Sequence, residues 1–312
     1  MKEDYKKIKY LKNLFKKDVY HIFFLVNPVV EIIIFLWIKL FNINSSHIII
    51  FKLRRNSSEL IKLPTTFFKK TILDRFFFKF GYDRNSRKYE NFVKKKSIKF
   101  YLYSSWVHPE FYFLLKNNNC LGHFYFEEGQ LSHKKCKFIY DNKLHIRNLR
   151  KKNKYAADQE SYFRSDFINC VSIDPIAFSK IDEKKRILLN DFELLKEIYK
   201  PLLLGYKCIG LGPAPRRLKK QKLIDSLIKL ANYMPTNSII KLHPGFELNR
   251  GQIDYLKKII KIETKKKIEF APQNTILEIE MLFEKKYFYG AQTSLKRYAS
   301  LFNSEFKLVD LY

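Results

Sequence analysis

Cysteine is scarce: Cys120, Cys136, Cys170 and Cys208 are the only four in 312 residues, with no C-x-x-C pair and no zinc-like spacing to histidine. This argues against a disulfide framework and a structural zinc site, and for reduced, mostly buried thiols in a cytosolic protein. Glycine (nine) and proline (ten) are also few, which argues against collagen-like or Pro/Gly-rich low-complexity sequence. Gly210-Leu211-Gly212-Pro213 is no G-x-G-x-x-G and lacks the Walker-type lysine spacing. Arginine numbers 13 against 47 lysines. Specific nucleic-acid readers lean on arginine for bidentate contacts, so nucleic acid is not expected as a partner. A long uninterrupted apolar run is missing too. His21 to Phe41 comes closest, but Asn27-Pro28 and Glu31 stand near its middle, and polar groups there are costly in lipid. A strand, a turn and a buried helix explain that stretch better than a span. The lysine-rich first 19 residues lack a following small-residue cleavage site, so no signal peptide is expected.

What is present is a globular composition, 46% hydrophobic and 16% aromatic, with a formal net charge of +29. Such a charge favours anionic partners: a nucleotide or a phospholipid surface. Residues 1–19 place Tyr5, Ile8, Leu11 and Phe15 at helical spacing. That basic amphipathic helix can pack one face on the domain and offer the other to an anionic bilayer.

Along the chain, Val19–Val26 reads as a strand, Val29–Leu40 as a buried helix and His47–Phe51 as the next strand, a βαβ unit that implies a parallel sheet. Strands at Ile98–Tyr103 and Gly122–Phe126 continue it, with a helix from about Pro109 to Lys116 between them. The stretches Arg54–Lys95 and Leu131–Ser179 carry mixed signals. A helical pattern over Lys180–Pro201 is expected to connect to a second unit. There, strands at Lys207–Leu211, Ser238–Leu242, Lys267–Phe270, Tyr287–Gly290 and Phe306–Val309 alternate with helices. The expectation is an α/β protein of two Rossmann-like domains facing a cleft, residues 1–190 and 191–312, without internal sequence repeat.

Candidate chemistry falls at strand ends, where open α/β sheets bind ligands. The strand ending in Lys241-Leu242 delivers His243 to a turn, and Pro244 holds that histidine extended. A histidine there titrates near neutrality and can protonate a departing phosphate oxygen. Glu127-Glu128-Gly129 closes a first-domain strand. Successive strand side chains point to opposite faces, so only one carboxylate is expected to face the cleft as a general base. Thr293-Ser294 follows a strand and opens a helix; it reads as a phosphate site or as a plain N-cap. Gly212 is a nucleotide-lining candidate. Of Glu278 and Glu280, either can bind a ribose hydroxyl, while for one of them a solvated helix face is the better reading.

In this order, Glu127-Glu128-Gly129, Lys241-Leu242-His243-Pro244 and Thr293-Ser294 resemble the motifs of bacterial sialyltransferases and polysialyltransferases of glycosyltransferase family 52. Phe24-Leu25-Val26-Asn27-Pro28 before a buried helix is similar to how those enzymes begin. The resemblance implies a two-domain GT-B enzyme: an acceptor-side amino-terminal domain and a nucleotide-sugar-binding carboxy-terminal one. It implies an inverting, metal-independent reaction with no cofactor and CMP-sialic acid as donor. One acid of Glu127 and Glu128 would deprotonate a saccharide or lipid-linked glycan acceptor. His243 would assist the leaving CMP, and Thr293-Ser294 would hold its phosphate; Lys241, Pro244, Gly212 and Glu278 are the further donor-side candidates. The pair here is Thr-Ser rather than two serines. The expected location is cytoplasmic, at the inner face of the cytoplasmic membrane. Kdo transfer, CDP-glycerol glycerophosphate transfer and a non-catalytic basic membrane- or nucleic-acid-binding module stand as alternatives.

Overall fold

The computed structural model describes residues 2–15, 18–53, 60, 62–68, 84–105, 111, 114–129, 132, 166–213, 220–243, 250–291 and 293–311. Pro244 and most of the stretch after Gly129 lie outside these. The chain divides into two compact units, Met1–Asn190 and Asp191–Tyr312, and each is described by itself.

The first unit is built on seven strands: β1 (Tyr20–Leu25), β2 (Ile48–Lys52), β3 (Thr65–Phe67), β4 (Phe100–Ser104), β5 (Cys120–Phe126), β6 (Cys170–Ser172) and β7 (Arg186–Leu188). They pair in the order β3-β2-β1-β4-β5-β6-β7, every neighbouring pair parallel. Parallel sheets are covered on both faces, which is why β1 and β4 read as near-continuous apolar runs. Alternation sorts the side chains. Ile22, Phe24, Leu102 and Tyr125 join one core with Phe51 and Tyr89. On the other face the rings of Phe23, Tyr103, Phe124 and Phe126 pack on one another and, but for Phe23, against Trp37. His21 lies in that second layer, its Nδ1 2.7 Å from the Tyr103 hydroxyl, and burial lowers its pKa to about 3.

Trp37 belongs to the helix Pro28–Phe41, apolar all round as expected and buried against β1. Asn27 opens the helix by accepting the Val30 N–H at 2.9 Å, with proline in the first turn; Asn42 ends it in the left-handed region. At 14 residues it falls short of the ~20 that a span needs. No helix among the described residues is long and apolar enough to cross a membrane. The amino-terminal helix Lys2–Leu14 buries Leu11 while Lys6, Lys9 and Lys12 stay exposed.

The expected helix over Lys180–Pro201 is corrected. Glu183–Lys185 is a 3-10 turn, Arg186–Leu188 is strand β7, and helix covers only Glu193–Ile198. The physical reason is pairing: β6 offers an open edge, and Cys170, Val171 and Ser172 take Arg186, Ile187 and Leu188 in parallel register. That partner lies in the stretch whose local signals were mixed.

The second unit has β8 (Cys208–Leu211), β9 (Ser238–Lys241), β10 (Ile268–Phe270), β11 (Tyr287–Gly290) and β12 (Glu305–Leu308), in the order β10-β9-β8-β11-β12, again all parallel. Helices Lys220–Tyr233, Arg250–Thr264, Leu277–Phe283 and Leu295–Leu301 alternate with them. Leu227, Leu230 and Ile260 pack on Ile240 and Ile268. Both sheets start at an interior strand, wind outward to one side and then resume on the other, the doubly wound Rossmann-like pattern. The switch points lie between β1 and β4 and between β8 and β11.

Candidate active site

At the second switch point the backbones come very close. A β-carbon built on Gly290 would stand 2.9 Å from Leu211 Cβ, so only glycine lets β11 end there beside β8. Gly212 follows β8, its N–H donating to Lys241 O at 3.0 Å. One strand over, β9 ends in Lys241, and His243 stands two residues on, exposed. The strand therefore delivers the imidazole to the carboxyl edge, where ligand crevices lie in such sheets.

Lys241 itself is turned to other work. It is buried, and its ammonium donates to Pro272 O at 2.9 Å and Gln273 O at 2.6 Å, with Gln273 Oε1 at 3.4 Å. An ammonium has three donors, so all three go to the loop after β10. Lys241 fastens that loop rather than presenting its charge to a donor phosphate. Burial lowers its pKa to about 8, against the attraction of Glu278. Burial raises Glu278 to about 7, against a backbone hydrogen bond and the Lys241 charge. Glu278 is half-buried as a residue.

Glu280 is corrected on both sequence readings, since it neither meets a ribose nor lies on a solvated face. It is fully buried. Its carboxylate accepts from Tyr199 Oη at 2.9 Å, Leu202 N at 2.7 Å and Leu203 N at 3.0 Å. Lys286, also fully buried, donates to Leu203 O, Tyr206 O and Glu284 Oε2. Together they staple residues 199–206 to the unit. Thr293 Oγ1 accepts from Leu295 N at 3.4 Å, and Ser294 takes the N-cap position without a side-chain capping bond.

In the first unit, alternation separates the two adjacent acids. Glu127 is fully buried, and its Oε2 accepts from Ile173 N at 2.9 Å and Asp174 N at 3.0 Å. It ties the end of β5 to the segment leaving β6. Glu128 is half-buried, and its own N–H donates to Ser132 Oγ at 2.6 Å. Gly129, at φ +58°, turns the chain through the left-handed region. Of the pair, Glu128 is the one whose carboxylate is not holding those two amides. Sequence reading passed over Ser105, which follows β4 beside this site as a buried hydroxyl; a lone serine in a Ser-Ser turn carries no local signal. No group of three or more His, Cys, Asp or Glu side chains placed to hold a metal ion occurs among the described residues.

No family model matches the chain, and no curated protein matches it. Solved structures similar to it include a glycosyltransferase from Rickettsia africae ESF-5, at 13% identity over 88% of this chain and 73% of that one, with a TM-score of 0.35. The glycotransferase of kitacinnamycin is similar at 11% identity over 94% and 87%, with a TM-score of 0.44. The UDP-GlcNAc 2-epimerase from Methanocaldococcus jannaschii is similar at 11% over 94% and 89%, with a TM-score of 0.43. At such identities and scores these likenesses carry no argument about donor or reaction. The fold rests on the chain's own two sheets.

Proposed function

We propose that this chain is an inverting glycosyltransferase of the GT-B type that moves sialic acid from CMP-sialic acid to a hydroxyl of a saccharide acceptor. The observation that carries the reading is the division of labour at the strand ends. One unit sets a half-buried carboxylate, Glu128, after β5, while its neighbour Glu127 is spent on backbone amides. The other sets an exposed imidazole, His243, after β9.

In this reading Glu128 takes the proton of the acceptor hydroxyl as its oxygen attacks the anomeric carbon of the donor. The bond from that carbon to the phosphate oxygen breaks, its electron pair leaves with CMP, and His243 donates a proton to the departing phosphate. Thr293 and Ser294 receive the phosphate beside Gly212, and Lys241 and Glu278 shape the loop that closes the donor's side. Charge that develops on the phosphate is met by basic side chains and helix ends. The exposed lysines of the helix Lys2–Leu14 support contact with an anionic membrane surface, where a lipid-linked acceptor would be met.

The test is incubation with CMP-sialic acid and a panel of oligosaccharide and lipid-linked acceptors in EDTA, followed by product masses. A product heavier than the acceptor by one sialyl residue is expected. Release of CMP from CMP-Kdo, or of CMP from CDP-glycerol, with none from CMP-sialic acid would move the assignment to those transferases. Binding without turnover of any such donor would leave a basic binding module.

A further inference from the structure

Ser105 lies at the carboxyl end of β4, on the switch point of the seven-stranded sheet. It is 1% exposed, and its Oγ has no hydrogen-bond partner among the described residues. Ser104, next to it, gives its hydroxyl to Ser105 O at 3.0 Å. A buried hydroxyl left unpaired costs about 1–3 kcal/mol, and a native site that keeps one calls for an explanation.

The register says what that hydroxyl stands beside. Phe23 pairs with Tyr103 on the β1 side, and Ser104 with Tyr125 on the β5 side. Continued along each strand, this puts Ser105 between Leu25 and Phe126. Side chains two apart share a face, so Asn27 and Glu128 follow on that same face, one step nearer the carboxyl edge. Asn27 is extended, at φ −159° and ψ 171°, so the alternation carries through to it. Its Oδ1 is committed to Val30 N–H, which leaves its amide nitrogen to donate. The crevice rule for doubly wound sheets points to this same gap between β1 and β4.

Among the described residues, carboxylates gather here in a chain that is strongly basic. At the ends of β1, β4, β5 and β6 the charged side chains among the described residues are Glu127, Glu128 and Asp174, with Glu31 buried in the first turn of the helix Pro28–Phe41; on the far side of β1, Lys52 ends β2 in register with Leu25. Among the described residues, the ends of β4 and β5 with Asn27 present carboxylates, a hydroxyl and an amide. An uncharged polyol, which both donates and accepts, matches a hydroxyl and an amide set beside a carboxylate.

We propose that Ser105, with Asn27 on the same face at the end of β1, is an acceptor-positioning residue: its Oγ hydrogen-bonds a ring hydroxyl of an uncharged sugar, whose neighbouring hydroxyl is thereby set against Glu128. The role in transfer rests on the transferase reading; the binding site does not.

The experiment has a binding arm and a turnover arm. Lactose, 3′-sialyllactose and spermidine serve as neutral, anionic and cationic probes in saturation-transfer NMR with the full chain. Lactose is expected to bind, 3′-sialyllactose to bind more weakly, and spermidine, drawn by carboxylates alone, to bind the parent and Ser105→Ala equally. Ser105→Ala is expected to weaken lactose about tenfold, the worth of one hydrogen bond, while melting at the same temperature or higher. Ser105→Cys keeps the volume and is expected to bind lactose nearly as weakly as Ser105→Ala. With CMP-sialic acid, Ser105→Ala is expected to raise KM for the acceptor and leave KM for the donor unchanged. The proposal is overturned if lactose fails to bind, if 3′-sialyllactose binds as tightly, if Ser105→Ala weakens spermidine as much as lactose, or if Ser105→Ala lowers the melting temperature by several degrees. If lactose behaves as expected but no CMP-sugar is turned over, the transferase reading falls and this site stands.

Discussion

Replacing Glu127 and Glu128 one at a time separates two carboxylates that are neighbours in sequence and opposites in role. Glu127 accepts two backbone N–H groups at 2.9 and 3.0 Å from a fully buried position. A hydrogen bond to a charged group contributes about 1.5–3 kcal/mol, and truncation leaves both amides unsatisfied. Glu127→Ala therefore costs about 3–5 kcal/mol. For a unit of this size each kcal/mol moves the midpoint by about 2–4 °C, so melting followed by circular dichroism is expected to fall by on the order of 10 °C. Glu127→Gln keeps one acceptor oxygen and loses the charge, and is expected to fall by about half as much. Glu128→Gln keeps the side chain's shape and one acceptor oxygen, and is expected to melt within a degree or two of the parent and to lose turnover of CMP-sialic acid by at least about 100-fold, the scale of a general base. The reasoning is refuted if Glu127→Gln melts normally and is inactive, for then Glu127 would be the base and its two amide bonds incidental.

The second unit supplies three further predictions. Glu280→Ala strips Tyr199 Oη and two backbone amides of their acceptor and is expected to cost about 3–5 kcal/mol, read as a lower denaturant midpoint at unchanged slope. His243→Ala, at an exposed position, is expected to leave the melting curve in place and to slow transfer; a donor with a better leaving group should recover part of the rate, and equal slowing with both donors would remove the acid role. Glu278 has a folded pKa raised from 4.5 to about 7, so its stabilising contribution is complete below about pH 4.5 and is lost as pH rises through 7, by about 3 kcal/mol. Glu278→Gln is expected to flatten that falling limb between pH 5 and 8 in urea titrations. Lys241, lowered to about 8, works the other way and adds stability as pH rises from 8 towards 10.5; parallel curves for parent and variant would discard the pair.

Much of this architecture is legible locally. Short apolar runs bounded by Asn-Pro, His-Pro or a glycine gave β1, β9 and β11 within a residue or two, because a strand buried on both faces needs no partner's identity to announce itself. β7 is different. Arg186-Ile187-Leu188 looks like part of a helix until β6 is there to pair with it. The same holds for side chains. Alternation alone says that Glu127 and Glu128 diverge, but which one turns inward depends on the amides of Ile173 and Asp174, 46 and 47 residues away. Glu280 misled for the same reason: its partners stand 77 to 81 residues back along the chain. Lys241, a donor-lining candidate by its place at the strand end, gives its ammonium to Pro272 and Gln273, partners 31 and 32 residues further on.

Glu280 and Lys286 grip residues 199–206 from opposite charges, one taking amide protons and the other giving protons to carbonyls. The second unit thus begins with a stretch already moored to its own body, only a few residues past the seam at Asn190. A protease cut at that seam would release a piece that keeps both moorings. A cut after Tyr206 would strand a buried anion and a buried cation at once, and the severed piece would be expected to collapse rather than persist.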